Sequence, residues 1–169
     1  MSFKYILGIQ SYANHDSGAS IVRFNTLDNS IDYVCISEER LIRKKHPYTF
    51  PLHSIGYCMD YFGLKSVNKI NLLVSDWIKE RKWLRSGPSY NYTMFDYLKE
   101  KFKLNKNKII QIDHHLAHAA SVYYPSNFKD SAILVADGLG SNLETTSYYE
   151  GKKNRIIEID KYRNHGIGA

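Results

Sequence analysis

The apolar positions of this 169-residue chain follow two rhythms in turn. Tyr5-Ile-Leu-Gly-Ile-Gln10 is a short apolar run with polar flanks, the pattern of a buried strand. Ser11 to Gly18 is a polar loop, Ala19 to Phe24 a second strand, Asp28-Asn29-Ser30 a turn and Ile31 to Ser37 a third strand. The chain therefore opens with an antiparallel meander. Glu38 to His46 is rich in charge and reads as a loop. The rhythm then lengthens: Pro51 opens a helix with Leu52, Ile55, Met59 and Phe62 at helical spacing and Gly63 as its stop.

Ile70 to Val74 is a strand, Ser75 to Ser89 an irregular loop with Trp77, Trp83 and Pro88, and Tyr92 to Phe102 an amphipathic helix. Ile109 to Ile112 is a further strand, and Asp113 N-caps a helix that stops before Pro125. From Ser131 the opening order returns. Ala132 to Ala136 is a strand, Asp137-Gly-Leu-Gly-Ser-Asn142 a polar loop, Thr145 to Glu150 a strand, Gly151 to Asn154 a turn and Arg155 to Asp160 a strand. Strands alternating with helices imply a mixed sheet with parallel members. No helix follows the second meander to cover it, and an uncovered meander exposes an apolar face. The expectation is an N-terminal piece of a longer protein.

Composition narrows the class. With 43% hydrophobic and 24% charged residues this is a globular chain, and no apolar run approaches 18 residues. Met1 to Gly8 lacks the apolar core of a signal peptide. Cys35 and Cys58 lack CxxC spacing and read as reduced core thiols in the cytoplasm. The formal charge is +6, but apart from Arg43-Lys44-Lys45 and Lys79 to Arg85 the cations are scattered. Such a balance suits a phosphate or nucleotide site as well as nucleic acid.

The candidate chemistry concentrates in Asp113-His114-His115-Leu116-Ala117-His118-Ala119-Ala120, which holds three of the seven histidines. Helix positions four apart are offset by only ~40°, so His114 and His118 project from one face and can share a metal ion. His115 with His118 is the other pairing the spacing allows. Lying in the first turn, His114 meets the positive end of the helix dipole, which favours the neutral, ligating imidazole. A histidine pair on a helix is also a common surface or hydrogen-bonded feature. Asn14-His15-Asp16-Ser17-Gly18 fits a ligand loop or an Asx-type turn equally. Asp137-Gly138-Leu139-Gly140 allows close approach of a phosphate or makes an ordinary turn, and Arg40, Arg43, Lys44 and Lys45 can grip phosphate or simply be solvated. Asp137, at a strand end, can add a carboxylate to a metal site.

Together the pieces resemble the carbamoyltransferases of nodulation-factor and of aminoglycoside or cephem antibiotic tailoring. The resemblance is carried by Ile6-Leu-Gly-Ile9, His15-Asp16-Ser17 with Ala19, Glu38-Glu39-Arg40 with Arg43-Lys44-Lys45-His46, and Phe50-Pro51. It continues through His114-His115-Leu-Ala-His118-Ala-Ala-Ser121, Tyr123-Tyr124-Pro125 and Asp137-Gly-Leu-Gly140 with Glu144-Thr145-Thr146. It implies an α/β, actin-like or sugar-kinase-like (ribonuclease H-like) fold, in which 1–130 form a complete first lobe, closed by the histidine helix, and 131–169 only begin the second. It also implies carbamoyl transfer to a small-molecule hydroxyl. The donor is carbamoyl-adenylate, made from carbamoyl phosphate and ATP by a C-terminal domain similar to the threonylcarbamoyl-AMP synthases.

Position by position, the resemblance makes His114 and His118 ligands of a divalent metal, iron, with Asp137 beside it. His15 becomes the base or acceptor-orienting residue, Lys45 a contact to the nucleotide or carbamoyl group, and Gly138, Leu139 and Gly140 the approach to the adenylate phosphate. The implied partners are the hydroxyl acceptor and a nucleotide, without membrane or nucleic acid, and a homodimer is compatible with the pattern. The chain departs from the family in lacking a downstream metal carboxylate and an acidic residue just ahead of His15, and in having Gly18 for the usual alanine. Two other readings are a nucleotide- or partner-binding remnant and a threonylcarbamoyl-transferring tRNA modifier. The HHxAHAAS block and the absence of an RNA-binding stripe weigh against the latter.

Overall fold

The computed structural model describes residues 2–11, 16–47, 49–76, 100, 103, 106–138, 140 and 143–163. They form two compact units, 1–111 and 112–169. In the first, β1 (Phe3–Ser11), β2 (Ser17–Asn25) and β3 (Ile31–Ser37) make the antiparallel meander. β4 (Leu72–Ser75) adds parallel to β1, and β5 (Ile109–Gln111) parallel to β4. The sheet order is β3-β2-β1-β4-β5, a mixed sheet. Leu7 stands opposite Ile21 and Ile9 opposite Ala19, so one pleat face gathers the core with Leu73. Helix α2 (Leu52–Tyr61) closes that face through Ile55 and Cys58.

The charged segment after β3 is not all loop. Glu38–Ile42 form a one-turn helix, α1, which ends where Arg43 turns left-handed at φ 58°. The Glu38 side chain is buried, 1% exposed, because α2 supplies partners for its carboxylate. The Ser54 N–H and Oγ–H donate to Oε2 at 2.8 and 2.6 Å, and the His53 N–H donates to Oε1 at 3.2 Å. A carboxylate from another element thus satisfies the open N–H groups of α2, whose own Pro51 cap offers no side-chain bond. Gly18 departs from the family's alanine where space is short: a Cβ there would lie 3.0 Å from the Ile36 carbonyl oxygen. The expected helix over 92–102 lies, Glu100 apart, outside the described residues.

The second unit holds α3 (His114–Tyr123) and the strands β6 (Asp130–Ala136), β7 (Glu144–Lys152) and β8 (Arg155–Arg163), paired antiparallel in that order. The second meander is not left bare on both sides, because the helix that precedes it packs on one face. Ala119 and Tyr123 of α3 meet Ile133 and Val135 of β6 and Tyr149 of β7. Leu134, Tyr148 and Tyr162 are exposed. The histidine helix therefore lies in the same compact unit as the Asp137 loop. No helix among the described residues is long and apolar enough to cross a membrane.

Candidate metal centre

Three side chains converge where α3 begins and β6 ends. Asp113 caps α3 by accepting the Leu116 N–H at 3.0 Å, which sets the first turn. His114 and His118 then stand one above the other, ring centroids 4.6 Å apart and planes at 89°. Asp137 leaves the end of β6, its own N–H held by the Thr145 carbonyl at 3.0 Å. His114 Nε2 lies 2.7 Å from Asp137 Oδ2, His118 Nε2 lies 3.5 Å from the same oxygen, and the two Nε2 atoms are 3.2 Å apart. Two nitrogens and one oxygen thus face a common point.

Their chemistry fits a divalent transition metal. Donors about 2.0–2.1 Å from a tetrahedral ion stand roughly 3.3 Å from each other, and the three separations here bracket that spacing. His114 is 14% exposed, His118 51% and Asp137 35%, so the triangle is sheltered on one side and open on the other. Burial pushes the Asp137 carboxyl up, but the bonds from His114 and the Gly138 N–H, with the two imidazoles nearby, hold it below its ordinary value. It stays anionic, as a ligand must.

His115 points the other way. It is fully buried, with Nδ1 2.6 Å from Ser147 Oγ on β7. Burial, only partly opposed by Glu144, lowers its basicity and keeps it neutral. Spacing alone left His115 with His118 open as a pair; the helix packing turns His115 into the unit and away from Asp137. Its serine contact is sealed from solvent and unsuited to nucleophilic chemistry.

The other candidates are placed unevenly. His15 and Leu139 lie outside the described residues. Lys45 is exposed, and its neighbour His46 has Nδ1 3.0 Å from Asp16 Oδ1, so the basic loop meets the start of β2. The Gly138 N–H donates to Asp137 Oδ1 at 2.7 Å and the Gly140 N–H to the Glu144 carbonyl at 2.7 Å. Both loop amides are thus engaged within the protein. Any Cβ on Gly140 would run into the Glu144 side chain, which is an internal reason for glycine there.

Comparison with known proteins places the chain in a family. Residues 74–169 match the family described as carbamoyltransferase N-terminus, a span that includes all three converging side chains. An uncharacterized Synechocystis protein is 31% identical over 90% of this chain and 28% of its own length. The nodulation protein NolNO of Sinorhizobium fredii is 29% identical over 75% of this chain and 20% of its own. The probable carbamoyltransferase HypF of Methanocaldococcus jannaschii is 30% identical over 58% of this chain and 12% of its own. The chain therefore spans little more than a quarter, at most, of these relatives. YeaZ from Pseudomonas aeruginosa superposes with a TM-score of 0.50 over 94% of this chain and 66% of its own, at 8% identity, a likeness of fold that makes the architecture actin-like. With more than half its length matched, the chain belongs to the carbamoyltransferase N-terminus family.

Proposed function

We propose that this chain is the N-terminal portion of an O-carbamoyltransferase. The transferred group comes from carbamoyl-adenylate, made from carbamoyl phosphate and ATP elsewhere in the full-length protein, and goes to the hydroxyl of a small molecule. The observation that carries the reading is the convergence of His114, His118 and Asp137 within the stretch that matches the family. These three residues hold a divalent metal, iron on the family resemblance, and two imidazoles with one carboxylate suit that ion. Bound there, the ion supplies a Lewis acid for the carbamoyl carbonyl.

The chain's own groups do the rest. His15 accepts the proton of the attacking hydroxyl as a C–O bond forms to the carbamoyl carbon and the bond to the adenylate phosphate oxygen breaks. Lys45, with Arg40, Arg43 and Lys44 around it, offers cations to the departing phosphate. On the family resemblance, Gly138, Leu139 and Gly140 would approach the adenylate phosphate.

The test uses the full-length protein with ATP, labelled carbamoyl phosphate and a panel of hydroxylated acceptors. Carbamoylated product is expected, together with metal that co-purifies with wild type and His115→Ala but not with His114→Ala or His118→Ala. Absence of both product and ATP-dependent carbamoyl phosphate turnover would overturn the transferase reading. Equal metal in all three variants would overturn the ligand assignment separately.

A further inference from the structure

The metal triangle depends on where α3 begins, and that start is tied down from β8. One oxygen of the Asp113 cap takes the Leu116 N–H at 3.0 Å and has the Tyr149 hydroxyl at 3.4 Å. The other oxygen faces Lys161 Nζ at 3.1 Å. The Lys161 side chain is only 20% exposed, and its ammonium also reaches Glu158 at 2.8 Å and the fully buried Glu144 at 4.0 Å. One cation thus stands among three carboxylates directly beneath the first turn of the histidine helix.

We propose that Lys161 is a positioning residue of the metal centre: by holding the Asp113 carboxylate in its capping pose it fixes the rotation of α3, and with it the place of His114 and His118 relative to Asp137. The geometry supports this step by step. His114 directly follows the cap, so a cap that swings away releases the first turn. A rotation of the helix by a fraction of its ~100° per residue would carry both rings off the Asp137 oxygen. Without the ammonium, the Asp113 carboxylate keeps the Leu116 N–H and the Tyr149 hydroxyl on one oxygen but loses the cation on the other, beside the buried Glu144. An ion pair of this kind contributes little net stability against an apolar replacement, so its presence under the helix is better explained by placement.

The inference rests on the metal reading above, and the experiment separates the two. Co2+ is titrated into the full-length protein and read by its visible spectrum, alongside hydrogen exchange of peptides covering residues 114–120. Lys161→Met, which keeps the stem, is expected to weaken Co2+ binding about ten- to a hundredfold, as loss of a ligand's supporting partner does, and to alter the spectrum. Exchange in 114–120 should quicken while β6 and β7 stay protected; Lys161→Arg should restore both readouts. Wild-type affinity and spectrum in Lys161→Met overturn the proposal. If Lys161→Met loses protection in β6 and β7 as well, Asp113→Asn takes its place, since it keeps a capping oxygen but not the charge, and the same two readouts decide. If the wild-type protein takes up no Co2+, the metal reading fails on its own. Lys161 is then judged by exchange, and unchanged protection in 114–120 overturns its role too.

Discussion

Glu38 shows how a single charged side chain can hold two elements together. Its carboxylate is buried, and burial by itself pushes it up; the bonds from Ser54 and His53 outweigh that and hold it below its ordinary value. A carboxylate so depressed favours the folded state only while ionised. Its contribution is therefore complete above the unfolded value of ~4.3 and is lost as pH falls through the lower folded value. Glu38→Gln should cost about 1–3 kcal/mol at neutral pH, the range for disturbing a buried charged hydrogen-bond acceptor. The difference from wild type should shrink in urea melts repeated below about pH 4. A difference that stays constant from neutral to acid pH would show that the ionised form is not what matters. Nothing near Glu38 in the chain announces this role. Its partners lie 15 and 16 positions on, and a Glu-Glu-Arg run next to basic residues has the composition of a solvated loop.

Helix α3 is held at both ends, and its C-terminal anchor is as specific as its cap. The Tyr123 hydroxyl sits 2.9 Å from the carbonyl oxygens of both Lys129 and Lys153, and its ring edge lies close to Gly151, where any Cβ would collide with it. The helix is thereby fastened to the turn between β7 and β8. Tyr123→Phe keeps the ring but removes the hydroxyl from both carbonyls, of which the Lys129 oxygen keeps the Lys153 N–H at 2.6 Å, and should destabilise the protein by about 1 kcal/mol in denaturant melts. Gly151→Ala should cost more, because ring and backbone cannot both stay. Equal stability of wild type and Tyr123→Phe would remove the hydroxyl from this account. At this scale the sequence was most legible: the Asp113 cap, the four-residue histidine spacing and the apolar run of β6 are local patterns, and local patterns set local geometry. Strand ends ran longer than their apolar cores, as in β8, where Lys161, Tyr162 and Arg163 continue the pairing beyond Asp160. Lys161 carries no signal of its own, since its meaning comes from Asp113 and Glu144, which lie far from it in the chain, as well as from Glu158 on its own strand.

For the whole molecule, the repeated order of strand, loop, strand, turn and strand was visible in the sequence, and so was a mixed sheet with parallel members. Less visible was which meander the histidine helix accompanies, because chain order does not say which face a helix covers; that follows from Ala119 and Tyr123 meeting Ile133, Val135 and Tyr149. The consequence is thermodynamic. With all three candidate ligands inside the unit 112–169, an ion bound to them stabilises that unit's folded state by mass action. A metal present at a hundred times its dissociation constant adds about 2.7 kcal/mol against unfolding of its site, provided the unfolded chain binds it poorly. Amides of β6 and β7 that exchange through unfolding of the unit should then slow by about a hundredfold at saturating metal. His118→Ala should abolish the slowing without much altering exchange in the metal-free protein, since that ring is half exposed. His115→Ala should do the reverse, raising metal-free exchange by opening a cavity beside Ser147 while leaving the response to metal in place. The two variants flank a single helical turn, so opposite outcomes would separate a ligand from a core residue three positions away, and matching outcomes would return the His115 pairing to consideration.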